Sequence, residues 1–338
     1  MITDIEGLKA LAREYWGSQA LFVSLRLGLF EALAEKASPP SEIAKRLQLN
    51  KEALKQILNA LVALGLVAKA NENYTLTPLS QRCLVKEGDA YLGHYIRHNE
   101  HLLTYWLHLD EAVRTGKPPA FRMTADQSDN PQRRRIFIEA MEDLGRLSAP
   151  EIYHALDLTP ALNLLDVGSG PATLPRYFLK QNPGLRVTII DLPQVIEIAK
   201  EKIAQDKLTG QIAILAGDLR EIDWGSSEFE IVLFSNIIHM YDSETNRQLV
   251  KKAARALKEG GRLVIHDYVL RQEGTMPLEG ALFSLNMLIG TAGGKSYQED
   301  EITAWLSEAG FSSPERIDLT TSHSLTIGEK SSGVGESY

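Results

Sequence analysis

The stretch LLDVGSGPATL, residues 164–174, decides how this chain is read. Apolar residues lead into Asp166, and the chain then turns on Gly168 and Gly170. A buried strand that ends in glycines marks a place where backbone comes close to a ligand. The pattern begins as the G-x-G of a dinucleotide fingerprint, but Thr173 stands where the third glycine would be. G-x-G alone is a weak signal, so the ligand has to be read from the rest of the chain.

Outward from this loop, strand-like segments alternate with helical ones. NLLDVG, RVTIID, IAILAGD, FEIVLFSNI and GRLVIHDYVL are separated by PATLPRYFLKQN, LPQVIEIAKEKIAQDK and SETNRQLVKKAARALKEGG. Near-continuous apolar strands with helical crossovers imply a parallel sheet covered on both faces, which binds ligands beyond the strand C-termini. GFSSPERIDLTTSHSLTIGEK adds two further strands, and the tail SSGVGESY reads as disordered.

The first half reads mainly as helices. SQALFVSLRLGLFEALAE has helical apolar spacing. A short helix after Ser41, a turn at Leu49-Asn50, a helix from Lys51 to about Leu64, a stop at Gly65, and a hairpin of LVAKA and NYTLT through Asn71-Glu72-Asn73 make a winged helix-turn-helix. Its second helix carries Lys51, Glu52 and Lys55 amid Leu54, Ile57, Leu58, Leu61 and Val62, too apolar for a helix that reads a DNA groove. Dimerisation or a substrate lid is the expected role. RTGKPPAFRMTADQSDNPQRRR reads as a loop and helix start, with Arg133, Arg134 and Arg135 on a solvated face, and RIFIEAMEDLGRLSAPEIYHALDL as one or two helices. The expected domains are 1–110 for dimerisation, 111–155 as a helical connector to the substrate pocket, 156–330 for the ligand-binding sheet, and 331–338 as the tail.

Composition narrows the classes. The 338 residues carry a net charge of -8, with 44% hydrophobic and 24% charged residues, a soluble-globular balance that disfavours general nucleic-acid binding. The single Cys83 excludes an intramolecular disulfide and a Cys-rich metal site, and reads as an inert thiol at a helix edge. MITDIEGLKALAREYWG lacks a signal-peptide core, and the apolar runs fall short of the roughly 20 residues of a membrane span. A cytoplasmic protein without membrane partners is expected.

Acidic residues close successive strands: Asp166, Asp191 about 20 residues on, Asp218 and Asp267, with His239 just past the fourth strand. The spacing to Asp191 is that of an acid reaching ribose hydroxyls. An acid ahead of the first glycine would repel a pyrophosphate. It would suit a ligand with an amino group, a ribose and a cationic sulfur, which is the chemistry of S-adenosylmethionine.

With these residues in place, the second half resembles the class I methyltransferases, and the chain over about residues 10–330 resembles the small-molecule O-methyltransferases of the acetylserotonin and plant phenolic type. FIEAMEDL, LLDVGSGPAT, VTIIDLPQVIE, LAGDL, HMYDSETN, LKEGGRLVIHD and SLNML with GGK carry the resemblance, IIDLPQVIE most specifically. It implies an α/β fold: a Rossmann-like, mostly parallel seven-stranded sheet preceded by a mainly α winged-helix dimerisation domain. It also implies a homodimer, S-adenosylmethionine as cofactor, and a small, aromatic hydroxyl compound as acceptor. Gly168 and Gly170, with Asp166, would admit the methionine end. Asp191 would take the ribose hydroxyls, with Leu192 beside the adenine. Asp218 and Leu219 would flank the adenine, Ser235 would lie against the cofactor, and Met141 would cover the reactive methyl. His239 falls at the family's catalytic base and Asp267 at the carboxylate that orients it; a neutral imidazole held by a carboxylate suits removal of a hydroxyl proton. Asn286 would hold the acceptor, with Phe283 and Met287, alongside Phe121, Phe137 and Met141, as candidate pocket walls.

The chain departs from the family pattern at three places. H-D-W is His239-Met240-Tyr241, a second plant glutamate is Ser296, and Ser235-Asn236 replace a basic residue before the base. Three other readings stay open: methyl transfer to carbon or nitrogen, a cofactor-binding relative without transfer, and a winged-helix DNA-binding regulator. A metal at His239, His266 and Asp267 is disfavoured, because alternation along a strand sends His266 and Asp267 to opposite faces.

Overall fold

In the computed structural model, residues 2–119, 130–158, 163–319 and 322–331 are described. Phe121 and the tail beyond residue 331, for which the sequence gives expectations, lie outside them. The chain divides into two compact units, residues 1–100 and 101–338.

The first unit contains α1 (Ile5–Leu11), α2 (Tyr15–Arg26), α3 (Leu29–Glu35), α4 (Pro40–Leu47) and α5 (Lys51–Ala63), the hairpin β1 (Val67–Ala70) and β2 (Asn73–Leu76), α6 (Pro78–Cys83) and the start of α7 (Gly93–Trp106). Asn50 caps α5 by accepting from the N–H groups of Glu52 and Ala53, and Gly65, at φ 74°, ends it. The hairpin turns on two residues, tighter than the three-residue turn expected from sequence, because Asn71 adopts φ 54° and Ala70 pairs directly with Asn73. Leu29, Phe30, Leu33, Ile43, Leu54, Leu58, Leu61 and Tyr74 form its core. The amphipathic first helix buries none of its residues. Ile5, Leu8, Leu11, Tyr15 and Trp16 all stay exposed.

The second unit adds α8 (Leu109–Thr115) and α9 (Pro131–Leu156), one uninterrupted helix that runs through Pro150. Then follow β3 (Asn163–Val167), α10 (Thr173–Gln181), β4 (Arg186–Asp191), α11 (Pro193–Gln205), β5 (Ile212–Ala216), β6 (Phe229–Ser235), a 3₁₀ turn (Ile238–Met240), α12 (Ser243–Ala256), β7 (Leu257–Asp267), β8 (Val269–Leu270), α13 (Leu278–Gly290), β9 (Tyr297–Gln298), α14 (Glu299–Glu308), β10 (Phe311–Asp318) and β11 (Ser324–Lys330). Seven strands form one sheet in the order β10-β11-β7-β6-β3-β4-β5. The five from β7 to β5 are parallel; β11 runs antiparallel to its neighbours β7 and β10, so β10 shares the direction of the five. Two buried clusters sit on its faces, one around Phe178, Ile189, Ile196 and Leu233, the other around Trp224, Phe234, Ile265 and Trp305.

Strand order reverses around β3, whose neighbours are β4 and β6. A ligand crevice opens at such a switch point, beyond the strand C-termini. One expected strand is divided: GRLVIHDYVL leaves the sheet at Tyr268, and Val269–Leu270 pair with β9 in a separate two-stranded sheet.

Candidate active site

Three loops meet at the switch point. After β3, Gly168 and Gly170 take φ 71° and 58°, and Ala172 follows at 58°. A Cβ on Gly168 would lie 2.1 Å from the Ile237 side chain, whereas one on Gly170 would meet nothing within 4 Å. Gly168 is therefore glycine for packing as well as φ, and the backbone at Gly170 faces open space that a ligand can enter. The N–H groups of Gly168 and Ser169 donate to Ile190 O at 2.8 and 3.1 Å, and Gly170 N–H donates to Asp191 Oδ2 at 2.7 Å.

Asp191 ends β4. Its other oxygen accepts from Leu192 N–H at 2.7 Å, so the two loops share one carboxylate. A carboxylate offers about four lone-pair sites, which leaves capacity for a diol. Asp166 is buried and accepts from Ser169 Oγ at 2.6 Å. Burial pushes its carboxyl up to about 7 against that hydrogen bond, and the neighbouring Asp191 charge adds to the rise. A ligand ammonium would relieve this cost. The open cradle at Gly170, the buried acid and the shared carboxylate all fit the amino, ribose and sulfonium chemistry of S-adenosylmethionine.

The third loop follows β5. Leu219 is buried, and Lys252 braces the segment by donating to Leu219 O, Arg220 O and Ile222 O at 2.9, 3.0 and 2.7 Å. Asp218 is engaged differently from the expectation. Its carboxylate accepts from the Arg220 guanidinium at 2.5 to 3.1 Å, and this pairing holds its pKa below the usual carboxylate range. An adenine amino group would therefore have to share Asp218 with Arg220.

α9 reaches this region from the helical side. Phe137 and Leu192 pack on Ile138, Val195 and Ile198. Met141 follows Phe137 by one turn on the same helix face. Next to it, buried Glu142 accepts from Thr173 Oγ1 at 2.7 Å and from Arg176 Nη2 at 2.5 Å. Thr173, the residue that broke the dinucleotide pattern, thus ties α9 to the glycine loop.

The 3₁₀ turn after β6 carries His239. The ring and Asp267 are buried, and His239 Nδ1 lies 2.8 Å from Asp267 Oδ1. Burial would raise the Asp267 pKa, but attraction to His239 and its hydrogen bond, with His323 and the Tyr268 N–H, outweigh burial and hold it below the usual range. In a neutral ring, Nδ1–H donates to the Asp267 carboxylate and Nε2 is left as an acceptor. The turn is held from behind. Asn246 Nδ2 donates to Ile238 O at 2.8 Å and Tyr241 O at 3.2 Å, and the Tyr297 hydroxyl donates to Tyr241 O at 2.6 Å. Gly294 packs so closely that a Cβ there would lie 2.0 Å from His239 O.

Beside the His239 ring, Phe283 meets it edge-on at 4.8 Å and lies tilted at 4.3 Å against Tyr268, which in turn meets His323 at 3.9 Å. Asn286 Oδ1 lies 3.1 Å from Trp106 Nε1. Met287, expected as a pocket wall, is buried in α13 and follows Phe283 by one turn on the same helix face. Ser235 Oγ is 2.9 Å from His266 Nδ1, a side-chain partner that competes with any cofactor contact. Ser296 accepts no orienting role towards His239: its hydroxyl donates to Gly280 O at 2.9 Å and anchors α13. Among the described residues, no three His, Cys, Asp or Glu side chains are grouped to hold a metal. Tyr268, His323, Trp106, Asn246 and Tyr297 were not foreseen from sequence; each acts through a contact distant in the chain.

Residues 106–312 match the family model of the O-methyltransferase domain, and residues 10–86 that of the O-methyltransferase dimerisation domain. The chain is 33% identical over 308 residues to a 3-hydroxy-5-methyl-1-naphthoate 3-O-methyltransferase of Streptomyces sahachiroi, covering 90% of this chain and 89% of that one. It is 27% identical to the S-adenosyl-L-methionine-dependent methyl transferase PigF of a Serratia species, over 94% and 93% of the two chains. A structure of PigF with SAH superposes with a TM-score of 0.85 at 26% identity over 97% of this chain and all of that one. An O-methyltransferase family protein from Burkholderia thailandensis reaches a TM-score of 0.88 at 25% identity, over 98% of this chain and all of that one. The glycine loop, the acids at the strand ends and the histidine–aspartate pair thus stand in a chain that belongs to the O-methyltransferase family, as an S-adenosylmethionine-dependent methyltransferase.

Proposed function

We propose that the enzyme methylates a hydroxyl group on a small aromatic acceptor, with His239 as general base and Asp267 as its orienting carboxylate. The observation that carries this is the buried His239–Asp267 pair, at 2.8 Å, with Phe283 edge-on to the ring. The naphthoate specificity named for the Streptomyces sahachiroi relative supports an aromatic acceptor.

S-adenosylmethionine, when bound, supplies a methyl carbon on a positively charged sulfur, open to in-line attack by an oxygen. Asp166, Gly168 and Gly170 would hold its methionine end. Asp191 would accept the ribose hydroxyls, Leu192, Asp218 and Leu219 would border the adenine, and Ser235 and Met141 would close the site. His239 Nε2 receives the hydroxyl proton, and the Asp267 charge stabilises the imidazolium that results. Phe283 and the tied Asn286 hold the acceptor ring, and this positioning lowers the barrier alongside the base.

We further propose a cytoplasmic homodimer, joined through the dimerisation domain at residues 10–86 and helix α1 before it. No helix among the described residues is long and apolar enough to cross a membrane. The test is transfer of labelled methyl from S-adenosylmethionine to a panel of phenols, naphthols, quinols and enols, with the product's methyl position read by NMR. On an acceptor whose own pKa lies well above neutrality, His239→Gln should cut turnover by about 10² to 10⁴-fold, the usual worth of a general base, with cofactor affinity retained. Near-full turnover of that variant would reduce the mechanism to positioning alone, and label on carbon or nitrogen would reassign the acceptor atom.

A further inference from the structure

We infer that His323, delivered by the β10–β11 hairpin, is a positioning residue for the His239–Asp267 pair: it clamps together the two chain segments that carry them. This rests on the general-base reading above and adds a third element to the site.

His239 and Asp267 stand 28 residues apart in the chain. His239 lies on the segment that leaves β6, soon after Asn236, and Asp267 ends β7, with His266 before it and Tyr268 after it. Their separation depends on what spans the two segments, and His323 spans them. Its Nε2 lies 3.0 Å from Asn236 Oδ1. Its ring stacks on His266 at 4.7 Å, with 24° between the planes, and lies tilted against Tyr268 at 3.9 Å. Both chain neighbours of Asp267 thus rest on one ring, and that ring is bonded to the segment that carries His239.

The placement follows from strand register. Ser324 pairs with Asp267, so the residue before it arrives at the end of β7. Leu319 N–H donates to His323 O at 3.2 Å and closes the hairpin around it. Asn236 is fixed in turn. It takes φ 60°, in the left-handed region that Asn enters more readily than most residues, and its N–H donates to His266 O at 2.8 Å. The bond to His323 ties the side chain of the same residue. Burial pushes the His323 pKa down to about 4, although the Asp267 charge pulls the other way. Near neutral pH the ring is uncharged, so it joins the two segments without competing with His239 for the Asp267 carboxylate.

Variants of the full chain separate a clamp from a ring that only fills space. His323→Phe keeps an aromatic ring on His266 and Tyr268 and loses the bond to Asn236. His323→Gln keeps the bond, because a glutamine amide offers either a donor or an acceptor about where Nε2 stood, and gives up the ring. On an acceptor whose own pKa lies well above neutrality, His323→Phe should cut kcat by about 10-fold, the worth of one hydrogen bond, and leave the KM for S-adenosylmethionine near wild type. His323→Gln should stay within about 3-fold of wild type, the reverse of the order that space-filling predicts. Asn236→Gly removes the amide and still allows a positive φ. It should match His323→Phe, and the double variant should lose no more than either alone. In a His239→Gln background, His323→Phe should cost less than about 2-fold, since no base is left to aim. Titration with S-adenosylhomocysteine reports folding of each variant. Wild-type kcat in His323→Phe and Asn236→Gly, a Gln variant slower than the Phe variant, or losses that multiply in the His239→Gln background would overturn the clamp and leave the base standing. Full turnover of His239→Gln by itself would defeat the general-base reading, and this inference with it.

Discussion

Asp166 is charged only at a cost, since burial and the nearby Asp191 raise its pKa to about 7. The sign of the effect follows. Without cofactor the folded protein holds a proton there up to about pH 7, whereas the unfolded chain releases it near the ordinary carboxylate value. Stability is therefore lost as pH rises between those two values. A bound ammonium favours the carboxylate, so cofactor binding should release a proton below about pH 7, and affinity should rise with pH until it levels above that. Calorimetry in buffers of different ionisation enthalpy reads the proton directly. Asp166→Asn should abolish the release and raise the melting temperature of the cofactor-free protein more at pH 8 than at pH 5; a release that persists in the variant would place the proton elsewhere. Residue identities at this scale were legible where chemistry needs a particular side chain. Asp166, Asp191, His239 and Asp267 could be named from strand ends alone. What sequence could not give was each side chain's competing partner: Arg220 on Asp218, His266 on Ser235, Trp106 on Asn286. Arg220 is only two positions from Asp218, yet nothing in the spacing says that its guanidinium folds back.

At the scale of elements, His239 depends on a 3₁₀ turn that has little structure of its own. Asn246 from α12, the Tyr297 hydroxyl from β9 and the Gly294 backbone hold it in place. Gly294→Ala would put a methyl group into His239 O and displace the turn. Turnover should fall by about 10² -fold, the cost of a misplacement near 1 Å. Cofactor affinity and circular dichroism should stay near wild type. Turnover close to wild type would mean the turn tolerates the shift. Strands and crossovers were legible because their apolar runs are unambiguous. The break at Tyr268 was not, because GRLVIHDYVL has the pattern of one strand on either side of it. Its cause is tertiary: Tyr268 is taken up by Phe283 and His323, and β8 finds β9 as its partner.

For the whole molecule, the first unit keeps apolar surface in water. Leu25 and Leu29 lie buried in the unit's own core, with Leu21 and Phe22 packed against it. Helical periodicity marks an apolar face without saying which protein surface it meets. The exposed set is Ile5, Leu8, Leu11, Tyr15 and Trp16, with Ile5 76% exposed and Trp16 57%. An isolated chain leaves that surface in water, which a second copy would remove. Sedimentation at micromolar concentration should give a dimer, and Leu8→Glu with Trp16→Glu should shift it towards monomer without unfolding. A wild-type monomer at that concentration would defeat the homodimer. Obligate interfaces commonly exceed about 2,000 Å², so two charges in its midst should be decisive.

The position of β11 has a consequence for how the protein is made. It is inserted between β7 and β10, so a strand near residue 330 completes a sheet begun near residue 163. It pairs with β7 from Asp267 back to Arg262. During synthesis the nascent chain therefore holds its glycine loop, His239 and Asp267 before β7 has a neighbour on that side. Until then an apolar strand edge is open to pairing with other chains. A chain that stops before β11 would carry the glycine loop, His239 and Asp267 and still be exposed to aggregation and proteolysis.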